Sequence, residues 1–209
     1  MFDMNATLKA LAAKRPVFHS EADFQHALAW EIHQHRSTCR VRLEAPLPVG
    51  DKRGHIDIWM PDDTAFCAVE LKYKTRRVRV EVNGETFDLL DQSAQDFGRY
   101  DFLKDLERLE RIVSANDDIV GYAVFLTNDS AYWTPPTRTG TIDAGLRIHD
   151  GRRIEGRLGW RRPLPKWLRE RRADIVVNGV YNLSWQDYAE PSRARYGRFR
   201  YLIVEVVRQ

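Results

Sequence analysis

The feature that most constrains the fold of this chain is an almost continuous apolar run, Ile119–Thr127 (IVGYAVFLT). A strand with one face in water alternates apolar and polar residues, whereas a strand covered on both faces is apolar throughout. The run therefore predicts a central strand with further layers of structure on both sides. Since helical patterns occur elsewhere in the chain, we expect these layers to include helices and the fold class to be α/β.

The segments before this strand follow the order helix, three strands, helix. The predicted elements are a helix from Ser20 to about His33, strands over Cys39–Leu47, His55–Met60 and Ala65–Tyr73, and a helix over Ser93–Val113. The spacing of apolar residues predicts one buried stripe on the last helix, formed by Phe102, Leu106, Leu109 and Val113. Pro46 and Pro48 are expected to end the first strand. Residues Asn5–Ala13 predict a further short helix.

Other parts of the chain surround this core. Val78–Leu89 has Asn83-Gly84 at its centre, which predicts a β-hairpin, and we expect that hairpin to protrude as an insertion. Val176–Trp185 and Arg200–Val207 are typical of late strands, whereas residues 129–174 show no regular pattern. We therefore expect a single domain over residues 1–209, with the core at about 20–128 and a C-terminal elaboration at about 129–209.

Composition excludes several classes of protein. With 43% apolar and 30% charged residues, the chain is an ordinary globular one, and its net charge of +3 does not by itself indicate nucleic acid. Cys39 and Cys67 form no spacing that suits zinc or a disulfide framework, which favours a reducing cytoplasm. The first residues make a poor signal peptide, and no segment has the length of a membrane span.

Three residues in the predicted strands carry the functional hypothesis: Asp57, Glu70 and Lys72. Pro61–Thr64 between them predicts a turn, and a hairpin folded about Asp63-Thr64 places position 57 across from position 70. Because side chains alternate along a strand, Glu70 and Lys72 share one face, opposite that of their apolar neighbours Val69, Leu71 and Tyr73.

Two readings of this arrangement remain open. Two facing carboxylates repel each other unless a cation lies between them, so the patch suits a divalent ion and an activated water. The alternative is a cross-strand salt bridge on a solvated face of the sheet, which chains rich in charged residues form by chance.

The element order, together with Ile56-Asp57 on the second strand and Glu70-Leu71-Lys72 on the third, resembles the PD-(D/E)XK nuclease superfamily. The resemblance spans Ser20 to Asn128, and Ile56 stands where the family usually has proline. It implies a restriction-endonuclease-like αβββαβ core with a mixed central sheet. It also implies a Mg²⁺-dependent nuclease, a hydrolase of phosphodiester bonds, with Mn²⁺ as a substitute ion.

The resemblance also implies the ligands. Asp57, Glu70 and the main-chain carbonyl of Leu71 would bind the ion, joined by Glu21 at the start of the first core helix, for which Glu31 is an alternative. Lys72 is expected to be catalytic and to shift toward its neutral form beside the cation, so that it orients or deprotonates water or stabilises charge in the transition state.

Two basic segments are candidate phosphate contacts. Lys74, Arg76 and Arg77 continue directly from the third strand. Arg161, Arg162 and Lys166 belong to the basic stretch Arg152–Arg172, in which Trp160 or Trp167 would stack on a base. The alternative for this stretch is an arginine-rich outer surface over buried tryptophans.

The implied partner is nucleic acid, with DNA favoured over RNA by the family alone. A homodimer or a larger assembly is compatible with the resemblance. Two alternatives to an active nuclease remain: a catalytically inactive module that binds nucleic acid, and an interaction subunit of a defence or repair assembly. The Asn83-Gly84 hairpin would be a docking surface in the second case.

Overall fold

A computed structural model describes residues 2–36, 39–49, 52–61, 66–168 and 170–208. The helices are α1 (Met4–Lys14), α2 (Glu21–His35) and α3 (Gln95–Ser114). The strands are β1 (Arg42–Val49), β2 (Lys52–Pro61), β3 (Phe66–Lys74), β4 (Val78–Val82), β5 (Glu85–Leu89), β6 (Ile119–Thr127), β7 (Arg153–Leu158), β8 (Ile175–Asn182), β9 (Trp185–Ala189) and β10 (Phe199–Val206). Among these helices, none combines the length and the apolar character needed to cross a bilayer.

A mixed sheet of six strands, in the order β1-β2-β3-β6-β10-β9, forms the centre of the molecule. β3 and β6 are parallel and the other neighbours are antiparallel. The prediction for β6 is confirmed: Tyr122, Val124 and Leu126 are buried in one core, and Ala123 and Phe125 in the other. The predicted α/β class with a mixed central sheet is likewise confirmed.

Different helices cover the two faces of the central sheet. Helices α1 and α2 cover one face of the sheet, where Leu8, Phe24, Leu28 and Ile32 are buried. Helix α3 covers the other face through a stripe that includes Phe102, Leu106, Leu109 and Val113, as its spacing predicted. The two-stranded sheet β7-β8 packs on the far side of α3. Helix α3 therefore lies between the central sheet and the β7-β8 sheet.

The first strand does not end at its prolines, and that prediction is wrong. β1 runs through Pro46 and Pro48 to Val49 while paired with β2. β1 is an edge strand, so its prolines cost no ladder hydrogen bond when the position of the missing N–H faces away from β2.

The predicted hairpin is confirmed as β4-β5. Asn83 and Gly84 have φ values of 54° and 82°, the left-handed pair that a two-residue type I′ turn requires. Its description as a protruding insertion is wrong, because Val78, Val80, Phe87 and Leu89 of one hairpin face are buried in the core that α2 covers. Positions 62–64 of the other predicted turn lie outside the described residues.

The C-terminal part contributes more to the sheet than the sequence indicated. The predicted strand Val176–Trp185 is divided between two elements. Most of it belongs to β8, which pairs with β7, whereas Trp185 begins β9 of the main sheet. The prediction of a strand at the C-terminal end is confirmed by β10, which pairs with β6. The irregular segment 129–174 contains β7 and connects these layers.

Candidate active site

The pairing of β2 with β3 ends where the candidate residues begin. The register sets Ile58 opposite Val69, and continued by one position it sets Asp57 opposite Glu70, as predicted. Beyond this point the main-chain N–H of Leu71 donates to Asp57 Oδ2 at 2.6 Å. The N–H of Tyr73 donates to Glu21 Oε2 at 2.7 Å. Two carboxylates therefore line the edge of β3.

Helix α2 holds Glu21 at this edge. Ser20 caps the helix, with its side-chain oxygen accepting from Asp23 N at 3.1 Å, so Glu21 occupies the first helical position. The Asp23 carboxylate reaches back to His19 N at 2.9 Å rather than to the cap residue itself. The alternative acid, Glu31, is buried and bonded to Lys14 and His35, so it has a structural role and is not a ligand at this edge.

A local distortion of β1 and β2 frees the Asp57 backbone. Glu44, opposite Asp57 in the register, has a φ of +49°, and the paired positions lie on either side of these two residues. The buried amide of Gln25 donates from Nε2 both to the Asp57 carbonyl oxygen and to Glu44 Oε1, each at 2.7 Å. Gln25 thus satisfies a main-chain group that the irregular ladder leaves open.

Glu70 and Lys72 point toward α3, while Val69, Leu71 and Tyr73 are buried in the opposite core, as strand alternation predicted. Arg108 Nη2 lies 2.5 Å from Glu70 Oε2. Asp105 Oδ2 lies 2.5 Å from Lys72 Nζ. Nζ of Lys72 also donates to the Leu71 carbonyl oxygen at 3.0 Å.

Asp105 and Arg108 are the residues that sequence reasoning missed. They are three positions apart on α3 and bonded to each other at 2.9 Å. A signal was present in the sequence: Asp105 falls between Phe102 and Leu109 in the buried stripe of the helix, where an unpaired charge is expensive.

Burial and mutual repulsion shift the pKa values of these groups. Burial raises the pKa of Asp57 to about 6, although the bond from Leu71 and the charge of Lys72 oppose the shift. Burial and the neighbouring Asp105 raise the pKa of Glu70 to about 9 despite Arg108. Burial also raises the pKa of Asp105. Of these acids, Glu70 therefore holds a proton at neutral pH when no cation is bound, whereas Asp57 is mostly ionised there.

The predicted shift of Lys72 toward its neutral form refers to the cation-bound protein and stays a prediction; without a cation, the pKa of Lys72 moves the other way. Burial on its own would lower the pKa of Lys72, but the adjacent Asp105 carboxylate, followed by Glu21 and Asp57, raises it well above the ordinary value. Lys72 is therefore an ammonium group fixed in position by Asp105.

The donor set can be tested against a divalent ion. Four carboxyl groups (Glu21, Asp57, Glu70, Asp105) interact with two basic groups (Lys72, Arg108), so the fully ionised cluster has a formal net charge of −2. Glu70 Oε1 is buried with no hydrogen-bond partner among the described residues. Two carboxylates and a main-chain carbonyl are ligands that Mg²⁺ accepts, with waters and substrate completing its shell.

The same atoms do not form a ready-made cage. Within the described ranges, no three His, Cys, Asp or Glu side chains are arranged to hold a metal ion together. Glu21 is engaged with Tyr73 N, and Arg108 takes the place of a cation beside Glu70. An ion at this edge therefore requires the Arg108 side chain to share or release Glu70.

The basic residues after β3 differ in availability. Arg77 is exposed and Lys74 is partly exposed. Arg76 is engaged, with Nε 3.0 Å from Asp91 and its guanidinium over the ring of Tyr196. We therefore retain Lys74 and Arg77 as candidate phosphate contacts, whereas Arg76 has a structural role.

The basic stretch Arg152–Arg172 fits in part the alternative of an arginine-rich outer surface over buried tryptophans. Arg161, Arg162 and Lys166 are exposed, as a phosphate-binding surface requires. Trp160 is buried, stacks against Tyr100 and donates to the Arg171 carbonyl at 2.5 Å, so the hypothesis that it stacks on a base is wrong. Trp167 is 49% exposed.

Comparisons with models of protein families, with curated proteins and with solved structures found no match to this chain.

Proposed function

We propose that this protein is a divalent-metal-dependent nuclease that hydrolyses phosphodiester bonds in DNA, built on a restriction-endonuclease-like core. The observation that carries the proposal is the excess of buried carboxyl groups at the open edge of β3, with Glu70 Oε1 left without a partner. A buried carboxylate oxygen without a partner costs about 1–3 kcal/mol, and a cation would remove that cost.

The order of elements supports the fold assignment. Helix α2, strands β1 to β3, helix α3 and strand β6 follow the αβββαβ order that the family resemblance implies. The resemblance also requires an acid on the second strand to meet Glu-x-Lys on the third, and the β2-β3 register supports that requirement.

Asp57, Glu70 and the Leu71 carbonyl would hold Mg²⁺, or Mn²⁺ in its place, with Glu21 available for a second ion. The bound ion would lower the pKa of a coordinated water and polarise the phosphoryl oxygen. Glu21 and Asp57 also fix the edge of β3, because each accepts a main-chain N–H from it.

Lys72 acts in this proposal as a fixed positive charge, which is one of the roles that the sequence left open beside orienting or deprotonating water. Its ammonium group donates to Leu71 O and pairs with Asp105, so it is positioned before substrate arrives. A preorganised cation at a phosphate stabilises the negative charge that develops at phosphorus and on the leaving oxygen. Lys74 and Arg77 would contact the flanking phosphates, with Arg161, Arg162 and Lys166 as a second contact surface.

The test is cleavage of supercoiled, linear and branched DNA with Mg²⁺ or Mn²⁺. Asp57→Asn and Lys72→Ala are expected to lose at least about 10³-fold in rate, because each removes a group that acts on the transition state. Asp88→Asn and Lys9→Ala change an exposed carboxylate and an exposed amine and are matched controls. Equal activity in the Asp57 and Lys72 variants would contradict the assignment.

One observation favours a second function, a nucleic-acid-binding module without catalysis. Arg108 lies against Glu70 and Lys72 is paired with Asp105, so both basic groups of the site are already engaged by its acids. Salt-sensitive DNA binding without cleavage under either metal would support this function over the first.

A further inference from the structure

A second feature of the molecule suits nucleic acid, and it lies outside the cluster around Glu70. A groove runs along the outside of α2, between that helix and the beginning of β1. Trp30 stands at its wall with 62% of its side chain exposed. Ala29, Val41 and Leu43 supply further apolar surface. Trp30 is the largest apolar side chain of the groove lining, and its ring contact in the described part of the chain is with His33, at 6.1 Å between ring centroids.

The charges around the groove have one sign. Arg40 and Arg42 line it together with His26 and His33, and the lining contains no Asp or Glu. Both arginines are exposed, and neither makes an ion pair or side-chain hydrogen bond within the described residues. Some exposed arginines elsewhere are paired, such as Arg198 with Asp187, whereas others, such as Arg77 and Arg138, are likewise without an ion pair in the described residues. The groove therefore presents two guanidinium groups, free of ion pairs among the described residues, beside an exposed indole ring.

Two acids adjoin the groove in sequence, and they differ in their partners. Glu31, next to Trp30, is buried and bonded to Lys14 and His35. Glu44, two residues after Arg42, accepts from the neutral amide of Gln25 and therefore keeps its negative charge. With two arginines against this one carboxylate, the region keeps a positive charge that is complementary to a polyanion.

The groove is close to the candidate active site along two elements. Helix α2 starts with Glu21 at the edge of β3, and Trp30 follows about 14 Å further along the helix axis. Arg42 in β1 is opposite Trp59, two positions from the level of Asp57. A chain of a few extended nucleotides has the length to connect the two sites.

We propose that this groove binds single-stranded nucleic acid, with a base stacked on Trp30 and backbone phosphates on Arg40 and Arg42. The inference rests on the proposed function in that it names the substrate class of the same enzyme: strands with an unpaired segment next to the cleaved bond. The indole ring is the reason for single strands, since duplex bases are already stacked on each other.

The first test measures binding without cleavage. A fluorescein-labelled single-stranded 12-mer and the matching blunt duplex are titrated in EDTA and followed by anisotropy. We expect Trp30→Ala to weaken single-strand binding about fivefold or more, Trp30→Phe to retain most of it, and duplex binding to stay unchanged. Leu90→Ala, which removes an equally exposed apolar side chain elsewhere, is the control.

The second test isolates the phosphates. The salt dependence of single-strand binding is measured for wild type and for the double variant Arg40→Ala, Arg42→Ala. Loss of two phosphate contacts is expected to reduce the log–log slope by about 1.4, whereas exposed Arg138→Ala is expected to leave it unchanged.

The outcomes separate this inference from the proposed function. If single-strand binding depends on Trp30 but the protein cleaves no DNA, the groove is a binding site and the proposed nuclease function is wrong. Cleavage by a protein whose single-strand binding is unaffected by Trp30→Ala would overturn the groove alone. Equal binding of single strand and duplex, loss of binding with Trp167→Ala instead of Trp30→Ala, or no binding at all would also overturn it.

Discussion

Two buried glutamates, Glu110 of α3 and Glu70 of β3, differ in how completely their carboxyl groups are hydrogen-bonded. Glu110 faces β8 and is 7% exposed, and its carboxylate accepts from Asn178 N at 2.8 Å, Gly179 N at 2.7 Å and Tyr181 OH at 3.0 Å. Glu70 faces the same helix from β3 and is 2% exposed, yet one of its oxygens has no partner among the described residues.

The difference separates a structural carboxylate from a functional one. Glu110 holds a strand against the helix, so its hydrogen bonds offset the cost of burial. Glu70 lies beside two further acids and is incompletely bonded, so its burial is not explained by stability. Buried, incompletely bonded carboxyl groups with perturbed pKa values are typical of functional sites, which is why we place the candidate active site on the β3 side of α3.

The largest expected effect comes from Glu70→Gln. We expect cleavage to fall at least about 10³-fold, equivalent to about 4 kcal/mol, because the ion loses an anionic ligand. Stability in EDTA is expected to change by less than about 1 kcal/mol, because burial and Asp105 raise the pKa of Glu70 to about 9 and keep it protonated at pH 7. Cleavage assays and urea unfolding measure the two quantities, and retained cleavage would break the contrast with Glu110.

The pH dependence of stability is the next effect. Burial raises the pKa of Asp57 from 3.8 to about 6. Between these values the native state binds more protons than the unfolded chain, so the free energy of unfolding in EDTA falls as pH rises, by on the order of 3 kcal/mol. Asp57→Asn is expected to remove the part of the fall that Asp57 contributes and to leave the part that the raised pKa of Glu70 contributes, whereas Asp88→Asn is expected to keep the whole fall. Urea titrations from pH 4 to pH 7 test the sign, and a slope shared by all three proteins would contradict it.

Glu110→Gln is the matched substitution on the other side of α3, with the opposite result. It replaces charge-assisted hydrogen bonds and leaves a buried N–H donor of β8 without its acceptor, so we expect a loss of about 2 kcal/mol in the free energy of unfolding. Cleavage per folded molecule is expected to stay unchanged. If stability were unaffected, Glu110 would not be the structural counterpart of Glu70.

The smallest effect is expected on the outer surface of the same helix. Arg111 pairs with Glu107 at 3.3 Å, and its side chain is 52% exposed. Arg111→Ala is expected to cost less than about 0.5 kcal/mol in unfolding free energy, because solvent and salt screen an exposed pair. A loss as large as that of Glu110→Gln would mean that burial does not explain the contrast.

Several features of the fold were predictable because they follow from local patterns. The apolar run of β6, the stripe of α3 and the Asn83-Gly84 turn all appear as expected. The placement of Asp57 across from Glu70 also followed, since strand alternation and a shared register determine which side chains meet. The path of β1 through its prolines did not, because that depends on the strand lying at the sheet edge.

The sequence by itself determined the α/β class, the faces of the strands and the acids and amine at the edge of β3. Only the tertiary structure decided that Asp105 holds Lys72, that Arg108 competes for Glu70, and that Trp160 is buried while Trp30 is exposed. The physical reason is range. Periodicity is a property of neighbouring residues, whereas the partner of a charge depends on how a helix docks on a sheet from a distant part of the chain.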